Sequence, residues 1–273
     1  METPTLQAPA GSCDCHIHVY DDRYALAPTA TFKPPAAPVA AYREVQAALG
    51  LERVVVVQPS AYGFDNRCTL DAMAGFGAAA RGVAVVPTDV SDEQLERLHD
   101  QGVRGIRYLM LMKPVMGWDS LETMAARIAP LGWHIDLQFD GREFAQREAL
   151  LSRLPCDLVI DHNGKFLEPV GVDDPAFRSL LRLVGSGDVW VKLSAPYETS
   201  KAGAPGYDDV SALARALVKA HPARCLWASN WPHPNQDPAP SNAAMLDLLL
   251  RWADDQATRD SILVSNPALL YGF

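Results

Sequence analysis

Long apolar runs are missing from this chain. Although 48% of its 273 residues are hydrophobic, no stretch approaches the roughly 18 to 20 consecutive apolar residues that a membrane-spanning helix needs. The opening METPTLQAPAGSCDC carries an early glutamate and no apolar core of the secretory kind, so a reducing cytoplasm is the expected compartment. Positive charge is also scarce. Lysine and arginine number 24 against 33 aspartates and glutamates, a formal net charge of −9, and no basic cluster occurs. A nucleic-acid footprint and a polybasic membrane patch are therefore not expected. The five cysteines, Cys13, Cys15, Cys68, Cys156 and Cys225, are odd in number and scattered. They read as buried thiols, not as a disulfide framework or a zinc ribbon.

What the chain does have is a regular beat. Eight β-branched runs are bounded by turn residues: residues 12 to 20, 53 to 59, 81 to 87, 103 to 110, 134 to 140, 157 to 163, 189 to 195 and 225 to 232. Between them lie segments such as PVAAYREVQAALG, SDEQLERLHDQG, SLETMAARIAPLG and YDDVSALARALVKAHP, with apolar residues at helical spacing and several closed by glycine. Continuous apolar strands alternating with helices imply a parallel sheet covered on both faces, and eight such units predict an α/β fold, a closed (β/α)8 TIM barrel. An open doubly wound sheet is the second choice, since no glycine-rich phosphate loop follows the first strand. No linker or low-complexity tract interrupts residues 1 to 273, so they read as one domain. A helix over about residues 241 to 265 is expected to close the chain.

In such a barrel, chemistry belongs at the carboxyl ends of the strands. Strand alternation puts Asp14, His16, His18 and Tyr20 on one face of the first run and Cys13, Cys15, Ile17 and Val19 on the other. The paired imidazoles suit either a metal or a carbonyl oxygen. His162, in DHNGK, reaches the same rim from the sixth run. Asn230 ends the eighth and His233 follows in WPHP, where two prolines restrict the backbone. Arg107, Lys113, Lys165 and Lys33 gather at strand ends as a candidate carboxylate clamp, with Arg107 offering a two-pronged fork. The proline- and alanine-rich loop after the first run has the composition of a pocket cover.

The segments DCHIHVY, VVVVQPSAYGFDNR, HDQGVRGIRYLM, LGWHIDLQF, VIDHNGK, VKLSAPYE, LWASNWPHPN and NPALLYGF, in that order from about residue 12 to 273, resemble the 2-pyrone-4,6-dicarboxylate hydrolase group of the amidohydrolase superfamily. The resemblance implies a (β/α)8 barrel acting on lactones. It places His16, His18 and His162 around the scissile carbonyl, with no bound metal or other cofactor. It places Arg107, Lys113 and Lys165 on substrate carboxylates; Ser60 and Lys33 are further candidate substrate contacts. A single divalent metal such as zinc on His16, His18 and His162 is the alternative. The implied partner is a small anionic lactone, with neither nucleic acid nor membrane.

Three departures from that group matter. Asn230 stands where the hydrolases carry an aspartate that takes a proton from attacking water, and an amide cannot accept that proton. Gln138 and Glu198 stand where they carry a tyrosine and an arginine, a pocket better suited to hydroxyl groups. A related branch, the galactarolactone isomerases, is said to carry asparagine at this position. There the nucleophile is a hydroxyl already on the substrate, which implies ring isomerisation by intramolecular acyl transfer, with ring hydrolysis as the competing reading.

Overall fold

A computed structural model of the chain describes residues 2 to 111 and 114 to 273. Eight parallel strands form one sheet in chain order: β1 (Cys13–Ile17), β2 (Arg53–Val57), β3 (Ala80–Ala84), β4 (Val103–Leu109), β5 (His134–Gln138), β6 (Leu158–Ile160), β7 (Val189–Leu193) and β8 (Cys225–Trp227). The register leaves no open edge between last and first. Ile17 bridges Trp231, the His18 amide donates to the Trp231 carbonyl at 2.8 Å, and the Asn230 amide donates to the His16 carbonyl at 3.0 Å. A closed (β/α)8 barrel results, which excludes the doubly wound sheet. The same bonds that close it join the HIH and SNWPH segments. Most strands end before their runs do, and in β1, β5, β6, β7 and β8 the residues beyond the ladder include polar ones at the rim.

The four segments with helical spacing are helices: α1 (Val39–Leu49), α3 (Asp92–Asp100), α4 (Leu121–Ile128) and α7 (Asp208–Ala220), with α2 (Arg67–Phe76), α5 (Phe144–Leu151) and α6 (Pro175–Gly185) completing the ring. Local chemistry sets their ends. Ser91 and Gln94 form a reciprocal capping box on α3. Asp174 accepts the Ala176 amide, with Pro175 in the first turn of α6. Gly50, at φ 71°, ends α1 in the left-handed region that glycine enters freely.

The outward side chains of the strands, such as Val54, Val56, Ile106, Ile135 and Leu137, join the helices in one core. Cys13, Cys15, Val55, Val57, Trp190 and Leu226 instead fill the barrel interior. All five cysteines are free thiols; Cys156 is half-buried and the other four are buried. Among the described residues no helix is long and apolar enough to cross a membrane.

Two expectations are corrected. The closing helix breaks after α8 (Asn242–Asp247) and a turn at Leu249–Trp252, because Asp255 caps a new start by accepting the Thr258 amide. The chain then runs through a π-turn to Asn266–Tyr271 and packs Leu270 and Tyr271 against the barrel interior. In β1 the pairing with β2 shifts register between Asp14 and Ile17. Asp14 therefore does not share a face with His16. It accepts from Tyr42 of α1 at 2.9 Å and from the Ser229 amide at 2.9 Å. An irregularity of this kind re-aims a side chain, and here it turns His16 inward just beyond Cys15.

Candidate active site

A cavity of about 360 Å³ opens at the carboxyl ends of the strands, large enough for a small organic acid. His18, Arg107, Gln138, His162, Lys165 and Asn230 share its wall, with Ser60 and Glu198 at its sides. The long loop after β1 is anchored by the antiparallel Tyr20–Ala37 bridge and lays Thr29, Thr31 and Phe32 along the wall. Lys33 in that loop is exposed and is not part of the wall, which corrects its place in the clamp. Lys113 lies outside the described residues.

The imidazoles form an ordered chain. His18 Nδ1 lies 2.8 Å from the Val57 carbonyl and must donate to it. In a neutral ring that leaves His18 Nε2 as an acceptor, so His16 Nε2, 3.2 Å away, is the donor between them. His16 Nδ1 then accepts from the Lys192 ammonium at 3.1 Å. Burial holds all three imidazoles neutral: it pushes His18 down to about 3, with Arg107 adding to the effect, and holds His16 and His162 well below the usual histidine value. His16 does not line the cavity; it stands behind His18. His162 pairs with the Ser194 hydroxyl through Nδ1 at 2.7 Å, leaving its other nitrogen uncommitted.

Beneath this chain lies a charged layer. Lys192 is fully buried and pairs with Asp136 and, at 3.2 Å, with Asp161; Arg107 is 3.6 Å from Asp161. Burial opposes the Lys192 charge, but the two carboxylates hold it as an ammonium, and that ammonium keeps Asp161 ionised despite its own burial. Asp136 is pushed up to about 7, first by burial and then by the charge of Asp161. The fork of Arg107 is already in use. One arm donates to the Gln58 carbonyl at 3.0 Å and the other to Gln138 Oε1 at 3.1 Å. Gln138 is thereby oriented with its amide nitrogen left for a ligand.

His16, Asp161 and His162 bring possible ligand atoms within 4.8 Å of one another. This is not the expected trio, since His18 is replaced by Asp161. It also fits a dication poorly, because the Lys192 ammonium already sits on His16 Nδ1 and Asp161 Oδ1. A second cation there would face like charge in a buried setting.

The end of β8 forms a separate relay. Asn230 Nδ2 donates to the Tyr197 hydroxyl at 3.0 Å and to Glu198 Oε1 at 2.9 Å. The flipped amide would set its oxygen against a carboxylate. His233 Nε2 donates to Asn242 Oδ1 at 2.9 Å, so His233 Nδ1 accepts from the Tyr197 hydroxyl at 2.9 Å. Both ring nitrogens of His233 are therefore occupied and it does not line the cavity; it braces Tyr197 instead of carrying protons to a ligand directly. Glu198 Oε2 pairs with Lys165, whose ammonium burial pushes down to about 8 while Asp161 pulls the other way. His162, Lys165, Asn230 and His233 all hold positive φ, between 49° and 62°. Such conformations cluster where surrounding structure fixes side chains for function.

Lys192, Asp136, Asp161, Ser194 and Tyr197 were not singled out from sequence. Alternation carried a signal for the strand residues: His134, Asp136 and Gln138 alternate in β5, and Trp190 and Lys192 in β7 are followed by Ser194 at the same spacing. A lysine at an inward position of an apolar barrel strand has nowhere to snorkel and needs a buried counter-charge.

Eight closed parallel strands with neutral imidazoles, buried cations and a ligand-sized cavity at their carboxyl ends define the class, a (β/α)8 barrel with an enzyme-like site at the strand ends. The chain belongs to the amidohydrolase family, which it matches over residues 13–273. It is 35% identical to the 2-pyrone-4,6-dicarboxylate hydrolase of Comamonas testosteroni, across 98% of this chain and 92% of that protein. It is 32% identical to the D-galactarolactone isomerase of Agrobacterium fabrum, across 98% and 93%. The solved apo structure of an Agrobacterium tumefaciens protein matches with a TM-score of 0.94 at 31% identity, covering 99% of both chains.

Proposed function

We propose that this enzyme rearranges the ring ester of an anionic, hydroxylated dicarboxylate lactone of the galactarolactone kind, by intramolecular acyl transfer and without a metal or other cofactor. The observation that carries this reading is the state of Asn230. Its amide nitrogen is spent on Tyr197 and Glu198, and its oxygen has negligible basicity, so β8 supplies no base to activate water.

A hydroxyl already held beside the carbonyl has a large effective molarity, worth about 7 to 11 kcal/mol in the best intramolecular cases. It can attack where a diffusing water would need a stronger base. His162, through its free ring nitrogen, and the unused N–H groups of Arg107 receive the developing oxyanion. His16 and His18 hold that edge of the cavity neutral and in register. Lys165 binds a remote carboxylate, and the Gln138 amide binds a hydroxyl.

Incubation with galactaro-1,5-lactone, followed by proton NMR, tests the reading. The expected product is the 1,4-lactone. Free diacid with no 1,4-lactone overturns it in favour of hydrolysis, the second reading, which the similarity to the Comamonas testosteroni hydrolase supports. Asn230→Asp is expected to raise acid release and lower ring migration. Metal analysis of the purified protein, with activity measured before and after chelation, tests the absence of a metal requirement.

A further inference from the structure

The rearrangement needs a group that takes a proton from the attacking hydroxyl and returns one to the oxygen that leaves. Asn230 cannot, and both nitrogens of His233 are occupied behind the wall. His18, with Nδ1 on the Val57 carbonyl, has its other nitrogen turned to His16. Among the described residues of the cavity wall, one carboxylate is present, that of Glu198. We propose that Glu198 is the catalytic proton carrier of the ring migration, held in place by Asn230 and Lys165; this rests on the isomerase reading above.

The geometry assigns each group a part. Asn230 Nδ2 binds Glu198 Oε1 and the Lys165 ammonium binds Oε2, which leaves lone pairs on both oxygens for a substrate hydroxyl. The hydroxyl proton passes to the carboxylate as its oxygen bonds to the ester carbon. The tetrahedral intermediate then collapses, the original ring C–O bond breaks, and the same proton passes from the carboxylic acid to the departing oxygen. No proton is gained or lost, so one group serves both halves. Hydrolysis has a different balance, since water adds across the ester and the diacid product ionises. A carboxylate quenched by an ammonium and an amide is a weak base. It suffices for a tethered hydroxyl and serves water poorly. The asparagine thus acts positively, because an aspartate there would repel Glu198 and compete for Lys165.

The charged and titratable groups facing Glu198 are Lys165 from the loop after β6, the adjacent Tyr197, and Arg107, His162 and His18 across the cavity. Burial holds the two histidines neutral and pushes Lys165 down to about 8, while Asp136 beneath the wall is pushed up to about 7, so the glutamate's part in an acid limb is read from the difference between wild type and Glu198→Gln.

The test measures ring migration for wild type, Glu198→Gln and Glu198→Asp, together with pH profiles and calorimetric binding of galactarate, the open diacid. The proposal expects Glu198→Gln to lose at least about 100-fold in kcat, to bind galactarate within about threefold of wild type, and to lose the acid limb, which Glu198→Asp retains. Ring migration by Glu198→Gln within threefold of wild type overturns the proposal and leaves the isomerase reading standing. So does a slow Glu198→Gln that keeps the wild-type acid limb. Wild-type protein that releases only free diacid overturns the reading itself, and this proposal with it.

Discussion

The two ends of this barrel both bury imidazole, and they treat it differently. At the rim, His16, His18, His162 and His233 each have a partner at 3.2 Å or less, and for His18 and His233 a carbonyl or amide oxygen fixes which nitrogen carries the proton. At the floor, His134 is equally buried, yet neither of its ring nitrogens has a partner, and the buried Tyr271 hydroxyl and Trp190 Nε1 have none either. His134 packs against Tyr271 at 5.3 Å between ring centroids, and its ring occupies the space that a side chain at Gly105 would fill. A floor that is only filled needs the right shapes. At the rim the imidazoles are instead oriented by hydrogen bonds to their neighbours.

The sharpest way to break this contrast is at the charged layer under the rim. Lys192→Met leaves Asp136 and Asp161 without their ammonium and is expected to cost about 3 to 5 kcal/mol of stability. It should also abolish turnover by releasing the His16 tautomer; chemical denaturation and the lactone assay check both. A variant as stable and active as wild type would show that the rim does not depend on this layer. His162→Ala should lower kcat by about 10²- to 10³-fold, the scale of a lost oxyanion donor, with a much smaller change in melting temperature.

Acid should expose the rim next. The imidazole of His18, near 3, and that of His233, near 4, bind a proton less readily in the fold than the usual 6.5 of the unfolded chain. As pH falls through 6.5, protons go to the unfolded chain first. Stability therefore drops until the folded values are reached. Asp14 and Asp136, pushed up to about 6 and 7, act in the opposite direction, but five buried neutral imidazoles outnumber them. Melting temperature should be lower at pH 5 than at pH 7, read by calorimetry. His233→Asn, which unbraces Tyr197 and through it Asn230, should reduce ring migration by about tenfold, a positioning effect. The smallest effect is expected at the floor. His134→Phe removes two unpartnered nitrogens and should leave activity within about twofold and stability within about 1 kcal/mol of wild type, or slightly raise it. A large activity loss there would erase the distinction between the ends.

Much of this was legible in the chain, for identifiable reasons. The (β/α)8 alternation follows from a period of two giving way to 3.6 between turn residues, and that needs no tertiary information. His18, His162, Arg107, Gln138, Lys165 and Asn230 could be placed on one wall because strand ends of a parallel barrel converge by topology. The surroundings of Lys33, His233 and the fork of Arg107 are not legible in the chain, because proximity to a strand end does not say which way a side chain turns or whether its hydrogen bonds are already spent. The face that Asp14 takes is not legible either, because an irregular register in β1 is invisible to simple alternation.

The sequence by itself therefore determined the barrel, the end of it that carries chemistry and the identity of the groups available there, since these depend on hydrophobic period and chain order. Only the tertiary structure decided which of those groups are free to act. Lys192, from β7, reaches His16 in β1 across 176 positions of chain, and Asn230, from the end of β8, is matched to Glu198 beyond β7. Donor and acceptor pairing of that kind is a property of packed neighbours, and no local pattern of residues encodes it.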